Sequence, residues 1–321
     1  MSPNEIFNEL VTTTWRKHRK EVADAVSNNN ALLKKLNSSG MKETVDGGLS
    51  IVQPLEYAEN STYQRYSGYD ILNIGASDVL SAAEFPWRQI AIHVTANGQE
   101  LRTNSGESRL INLVKSRMKN AIHTFKNNFS YDIYSDGTLP NQITGLQALI
   151  SDNGLGTVGG IDANAWAFWR NKVQSAAAPM QGGAAITPSG TPGVMESLMM
   201  PLYMALTRGS DRPDLIITSN EMFGFYETGL LSFKRYTSSE TAKGGFMSLK
   251  YKDCDIVYDG GSGIPANHMY FLNTNTIRLV VHKDADMPEM RPINQDATVT
   301  PIIWMGNLTV SNRMLNGVLK A

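Results

Sequence analysis

Gly154-Leu155-Gly156-Thr157-Val158-Gly159 is a literal match to the glycine pattern with which a strand-to-helix turn cradles a dinucleotide pyrophosphate. That chemistry also needs a carboxylate about twenty residues further on, to hold the ribose, and a helix opening at the last glycine. Ala177-Ala178-Pro179-Met180 stand at that distance instead, and Gly160-Ile161-Asp162 delays any helix, so the run reads as a glycine-rich connection. Cys254 is the one cysteine. Flanked by Asp253 and Asp255, it sits in an acidic setting that disfavours a reactive thiolate and reads as packing. The five histidines, His18, His93, His123, His268 and His282, are scattered, and none pairs with another histidine or with the cysteine at metal-ligand spacing. There is no Gly-x-Ser-x-Gly elbow and no Walker loop. No catalytic, cofactor-binding or metal residue is therefore assigned, and a nucleotide-using α/β enzyme stands only as an alternative resting on the glycine run.

The residues that do form a chemical pattern are cations. Arg109, Lys115, Arg117, Lys119 and Lys126 fall within 108–129 without a single acid, and residues 1–42 hold seven basic residues against four acids. The rest of the chain carries seventeen basic residues against twenty-six acids, although the whole protein is at −1. Such a split suggests one basic and one acidic face. Five cations on one segment repel one another and gain no helix-pair stabilisation. A solvated helix face is the bland reading; a face that meets polyanion without reading its sequence is the sharper one.

Lys115, Lys119 and Lys126 need a helix to hold them. From about Gly106 to Tyr131, Ile111, Val114, Met118, Ala121, Ile122, Phe125 and Phe129 recur at three- and four-residue steps, which places them in one stripe with the lysines and His123 beside it. Upstream, Ser2-Pro3-Asn4-Glu5 has a capping serine, a proline at the first helical position and a glutamate to close the capping box. A sparsely apolar arm follows, with a second helical patch from Ala31 to Leu36. Between arm and helix, residues 47–104 are rich in aromatic and β-branched side chains. Trp87 to Thr95 alternates with period two before the Asn97-Gly98 turn signal, as expected of an extended hairpin or loop whose natural role is contact between subunits.

From about 150 to 281 the pattern is mixed α/β. Helices are expected over Asp162–Val173, from Thr191-Pro192 through Leu206 with Pro201 kinking or splitting it, and over Glu221–Thr228. Strands are expected over Pro213–Thr218, Cys254–Tyr258, Met269–Leu272 and Ile277–Val281, a loop over Ala176–Gly193, and alternating sheet over Ala297–Leu319. Met195, Met199, Met200 and Met204 read as core filler. At 321 residues the chain has ample surface to bury, its longest apolar runs are far too short for a membrane helix, and Met1–Lys20 lacks the apolar core of a signal peptide. A lone cysteine cannot form an internal disulfide, so production in a reducing cytoplasm is the simplest expectation. Asn60-Ser61-Thr62 and Asn307-Leu308-Thr309 match the glycosylation triplet without any secretory context.

The order of elements, together with Gly47-Gly48-Leu49-Ser50-Ile51-Val52-Gln53-Pro54, the Gly106–Tyr131 helix, Ile143-Thr144-Gly145-Leu146-Gln147-Ala148-Leu149-Ile150, Pro213-Asp214-Leu215-Ile216-Ile217-Thr218-Ser219-Asn220 and the ending Trp304 to Arg313, resembles the tailed-bacteriophage major capsid proteins of the Hong Kong 97 fold family. The resemblance implies an α+β fold with an N-terminal arm (1–58), an extended β-hairpin loop (59–104), a peripheral domain built on a long spine helix (105–149 and 282–321) and an axial α/β domain (150–281). It implies a structural subunit, not an enzyme, that assembles as hexamers and pentamers into an icosahedral shell around double-stranded DNA in the bacterial host cytoplasm. Lys115, Lys119, Lys126, Arg16, Lys17, Arg19 and Lys20 would face that DNA, and Arg65, Trp87, Arg88 and Arg102 would make loop contacts between subunits. Some members cross-link through a loop lysine; residues 59–104 contain none, which implies non-covalent contacts or cement proteins. The arm, at about 46 residues, is short for a built-in scaffolding segment, which implies a separate scaffolding protein, beside a portal. An encapsulin-like compartment shell shares the fold and is the other alternative.

Overall fold

The computed structural model describes residues 30–99, 107–230, 248–259, 263–282 and 296–321, with 107–115 described in backbone only. The helix expected at Ser2 lies outside these residues. The first described element is helix α1 (Ala31–Ser38), where the Asn30 side chain accepts the Leu33 N–H as N-cap and Ala31, Leu32, Leu33 and Leu36 are buried. Strands β1 (Lys42–Val45), β2 (Ile51–Glu56), β3 (Leu80–Phe85) and β4 (Arg88–Asn97) follow, then the long helix α2 (Glu107–Ile133) and a single turn α3 (Leu146–Leu149).

The second half holds β5 (Thr157–Val158), β6 (Ile161–Asp162), β7 (Lys172–Ser175), helix α4 (Val194–Leu206), β8 (Leu215–Thr218), helix α5 (Asn220–Leu230), β9 (Ser248–Tyr251), β10 (Cys254–Tyr258), β11 (His268–Leu272), β12 (Ile277–His282), β13 (Ala297–Val310) and β14 (Gly317–Lys320). Six strands form one mixed sheet in the order β7-β14-β11-β8-β10-β9, on which α4 and α5 pack. The central β8, Leu215-Ile216-Ile217-Thr218, is buried at every position, which is why it reads as an unbroken apolar run and not as an alternation. A four-stranded sheet, β1-β12-β13-β4, carries α2.

The fourteen-residue β13 is the seam of that second sheet. Its first ten residues pair antiparallel with β4 (Ala297 opposite Asn97 through Gly306 opposite Arg88), and its last five pair with β12. Gly306 stands at the changeover, where a Cβ would lie 2.5 Å from the Val280 carbonyl oxygen and 2.7 Å from the Trp304 ring, so only glycine lets the strands close. The sheet expected over Ala297–Leu319 therefore exists but is divided: β13 joins the smaller sheet and β14 the larger.

Four expectations change. The extended hairpin expected through 59–104 is two structures: β2 and β3 form the hairpin, Ile51 opposite Phe85 through Glu56 opposite Leu80, whereas β4 belongs to the body because its inward residues Ile90 and Ile92 pack on the main core. The helix expected over Asp162–Val173 is one 3-10 turn, Ala167–Trp169, followed by β7. Asp162 takes the Asn164 N–H at 2.8 Å in a local turn, Trp169 Nε1 donates to the Val158 carbonyl, and Arg170 Nε donates to the Ala163 carbonyl, so the segment's polar groups bind sideways instead of up a helix. Of the kink or split expected at Pro201, the split does not occur: α4 runs as one element from Val194 to Leu206. The methionine stripe also divides, with Met195 and Met199 in the core and Met200 and Met204 more than half exposed.

Candidate assembly surfaces

The hairpin is built to be held at its base and free at its end. β2 alternates buried and exposed, with Ile51, Gln53 and Leu55 inward, and Gln53 Nε2 donates to Thr309 Oγ1 of β13 at 3.3 Å. Glu84 N–H in β3 donates to the Gly159 carbonyl at 2.9 Å. Gly159 has φ +59, and a Cβ on it would lie 2.8 Å from Ala83 Cβ and 3.0 Å from the Phe85 ring. The glycine-rich run is thus a seat for the hairpin: β5 and β6 pair across Gly159-Gly160, and no helix follows to receive a phosphate. At the corner between β3 and β4, Asn307 Nδ2 donates to the Pro86 carbonyl at 2.9 Å while its Oδ1 accepts the Thr144 N–H at 2.9 Å. Tyr57, where the hairpin leaves the body, stacks on Phe168 at 5.6 Å and meets Trp166 edge-on at 6.1 Å.

Beyond that base, residues 57–79 form a loop held by its own polar groups: Thr62 N–H bonds Asn60 Oδ1, Ser67 N–H bonds Asp70 Oδ2, and Gln64 spans to Ile71 and Asn73. Its apolar side chains face outward. Tyr63, Tyr66, Tyr69, Ile71 and Ile74 are each at least 65 % exposed. Five large exposed apolar groups within the loop of residues 57–79 are of the kind that mark an interaction surface.

Of the four residues expected at subunit contacts, Arg65 is exposed on this loop. Trp87 is occupied within the chain, its Nε1 donating to the Gly48 carbonyl at 2.9 Å and its ring meeting His282 edge-on. Arg88 is half-buried in β4, with no hydrogen-bond partner for its buried Nε among the described residues. Arg102 lies outside the described residues.

The long helix is amphipathic as its spacing implies. Met118, Ala121, Phe125 and Phe129 are buried; Phe125 and Phe129 stack at 5.5 Å, and Phe129 meets Trp304 of β13 edge-on at 4.8 Å. Lys119 and His123 are exposed and Lys126 half-buried, so these three fall on one side at helical spacing. Arg117 lies apart from them, donating from Nη1 to the Thr95 carbonyl. Lys115 is in the part of the helix described in backbone only, and Arg16, Lys17, Arg19 and Lys20 lie outside the described residues.

Other candidate chemistry resolves into structure. Cys254 is fully buried, donates from Sγ to the Pro213 carbonyl, and has its thiol pushed up to about 12 by burial, with Asp214, Asp253 and Asp255 adding to it. Among the described residues no three metal-ligating side chains cluster, and no helix is long and apolar enough to cross a membrane. Sequence reasoning assigned no structural role to Asn307 or Arg313, both fully buried, although both stand in the Trp304–Arg313 ending; nothing in their local sequence distinguishes them from surface polar residues.

No family model matches the chain, and no curated relative matches it in sequence. Solved structures do match it. The capsid asymmetric unit of cyanophage A-1(L) superposes with a TM-score of 0.63 at 14 % identity, covering 88 % of this chain and 91 % of that one. The capsid of an empty GTA particle gives 0.56 at 13 % identity, with 88 % of each chain covered. A structure from Mycobacterium phage Bobi gives 0.52 at 10 % identity, with 91 % of this chain and 90 % of that one covered.

Proposed function

Because the chain has the α+β Hong Kong 97-type capsid fold along nearly its whole described length, we propose that it is the major capsid protein of a tailed bacteriophage, a structural subunit that assembles with copies of itself into a closed shell around double-stranded DNA. The observation that carries this reading is the hairpin loop. Its base is locked to the body at Gly159, Thr309 and Phe168, yet Tyr63, Tyr66, Tyr69, Ile71 and Ile74 stand largely exposed among the described residues. Burying even half of that apolar area on a neighbour is worth several kcal/mol at about 25 cal/mol per Å². Repeated around a ring, one such unlike-to-unlike contact closes hexamers and pentamers. The proposed division follows: an arm before β1, the β2–β3 hairpin with its loop, a peripheral domain of α2 with the β1-β12-β13-β4 sheet, and an axial domain of the six-stranded sheet with α4 and α5.

The lysine side of α2 is the proposed inner wall. Lys115, Lys119 and Lys126, with Arg16, Lys17, Arg19 and Lys20 of the arm, would neutralise phosphates without reading bases. Arg65 of the loop is the proposed polar contact between subunits. A separate scaffolding protein, a portal and cement proteins are the proposed helpers, with assembly in the host cytoplasm and the virion as final location. The test is electron microscopy of the full-length chain expressed with its scaffolding partner, followed by nuclease treatment of particles filled by packaging. Closed shells holding nuclease-protected double-stranded DNA are expected. A chain that stays monomeric under every assembly condition overturns the shell reading; shells that hold protein cargo and no protected nucleic acid overturn the phage reading.

A further inference from the structure

β11 lies between β14 and β8 in the middle of the six-stranded sheet, and its first residue is His268. One ring nitrogen, Nδ1, is 2.7 Å from the Ala266 carbonyl oxygen, and the other, Nε2, is 3.0 Å from Asp152 Oδ2. Both facing atoms are acceptors. A neutral imidazole carries one N–H and one lone pair, so either tautomer satisfies one contact and sets lone pair against lone pair at the other; only the imidazolium donates to both. Asp152 belongs to the turn that follows α3, 116 residues earlier in the chain. We propose that His268 is a proton-operated clasp: charged, it ties the turn after α3 to the axial sheet, and on losing its proton it lets that tie go.

The surroundings fit a group that keeps its charge yet can exchange it. The His268 side chain is 15 % exposed and Asp152 49 %, so water reaches the pair without dispersing it. Lys320 of β14 stands opposite His268 in the ladder, and the Tyr270 ring stacks on the imidazole at 6.1 Å. Glu221, at the start of α5, is held chiefly by its own backbone N–H and by Ser219, with the Asn267 backbone a smaller partner. Burial and Lys320 both favour the neutral ring, but the Asp152 hydrogen bond and charge and the Ala266 carbonyl outweigh them, holding the imidazole above its ordinary value near 6.5. Asp152 is correspondingly held below the usual carboxylate value, chiefly by its hydrogen bond from His268.

The sign follows from linkage. A histidine raised on folding contributes stability that is complete below its ordinary value and is lost as pH rises through the raised one; Asp152 contributes in the opposite direction, losing its share as pH falls through its lowered value. The clasp is therefore closed below the ordinary histidine value near 6.5 and opens as pH rises through the raised one. It is a property of the folded subunit and stands or falls independently of the shell reading.

The experiment is an NMR titration of the full-length unassembled chain with its histidines labelled at Cε1, together with unfolding midpoints between pH 6 and pH 9. His268 should titrate above 6.5, and in Asp152→Asn its value should drop by about one unit, a tenfold loss of coupling. Wild type should exceed His268→Gln in unfolding midpoint at pH 6, with the difference narrowing by pH 9. A His268 that titrates at or below 6.5, or a difference from His268→Gln unchanged between pH 6 and pH 9, overturns the proposal. If His268→Gln does not fold, the Asp152→Asn titration decides it alone.

Discussion

Arg313 carries a guanidinium into a site with no exposure, and its donors all end on neutral oxygens: Nε on the Leu149 carbonyl at 2.8 Å, Nη1 on the Trp169 carbonyl, and Nη2 on Asn171 Oδ1 and Ser151 Oγ. Burial lowers its pKa to about 10, which still leaves it charged at neutral pH. One side chain thereby joins the end of α3, the 3-10 turn before β7, and the segment between β13 and β14. Removing it takes the donor from two buried carbonyls, of Leu149 and Trp169, at once. Arg313→Met should lower unfolding stability by about 3 kcal/mol or more in a denaturant titration, since each unsatisfied buried polar group costs roughly 1–3 kcal/mol; a loss below about 1 kcal/mol would show that the site relaxes around the change. His268 belongs to the same class of residue. In the sequence it is one scattered histidine among five, and only the fold brings Asp152 to it.

At the scale of elements, the base of the hairpin decides how it leaves the body. Gly159 does this twice, through a positive φ that side chains resist and through contact with Ala83 and Phe85 that leaves no room for a Cβ. Gly159→Val should cost about 2–6 kcal/mol from strain and overpacking combined. It should also speed hydrogen exchange at the Glu84 amide, whose acceptor is the Gly159 carbonyl, while amides of β8 keep their protection. Unchanged exchange at Glu84 would mean that the hairpin holds without that seat. The same element scale explains the failed helix over Asp162–Val173: its apolar spacing is helical, but Asp162, Trp169 and Arg170 each find a partner off the helix axis, and those bonds prevail over a weak propensity.

At the scale of the molecule, charge sets the two sides of the proposed wall. Lys119, His123 and Lys126 line one side of α2, while the buried Phe125 and Phe129 stack anchors the other against β13. Replacing Lys115, Lys119 and Lys126 by glutamate should leave shells assembling, because no described side chain of the apolar face is touched. Binding of double-stranded DNA by the unassembled subunit should weaken, with the log–log salt slope shallower by about 0.9 for each phosphate that is no longer neutralised. An unaltered slope with intact folding would remove the inner-wall role from this side of the helix.

Much of this architecture was legible in the chain, and the parts that were share one cause. The long helix, the alternation of β4, the buried runs of β8 and β10, the short helix after Asn30 and the unfitness of the glycine run for a nucleotide all follow from spacings of two to four residues or from the chemistry of near neighbours. Pairing was not legible, because sheet partners are chosen by contacts across the whole chain. Nothing local in Trp87–Thr95 distinguishes a hairpin strand from one that pairs with residues about two hundred positions away, and the ladder with β13 settles it. The same holds for the divided methionine stripe, for the glycines that seat β3, and for His268 with Asp152. By itself the sequence determined those elements whose signal is local, such as the long helix and the buried strands, and the segregation of charge. The tertiary structure alone decided which polar groups meet, because burial creates both the need for a partner and the neighbour that supplies it.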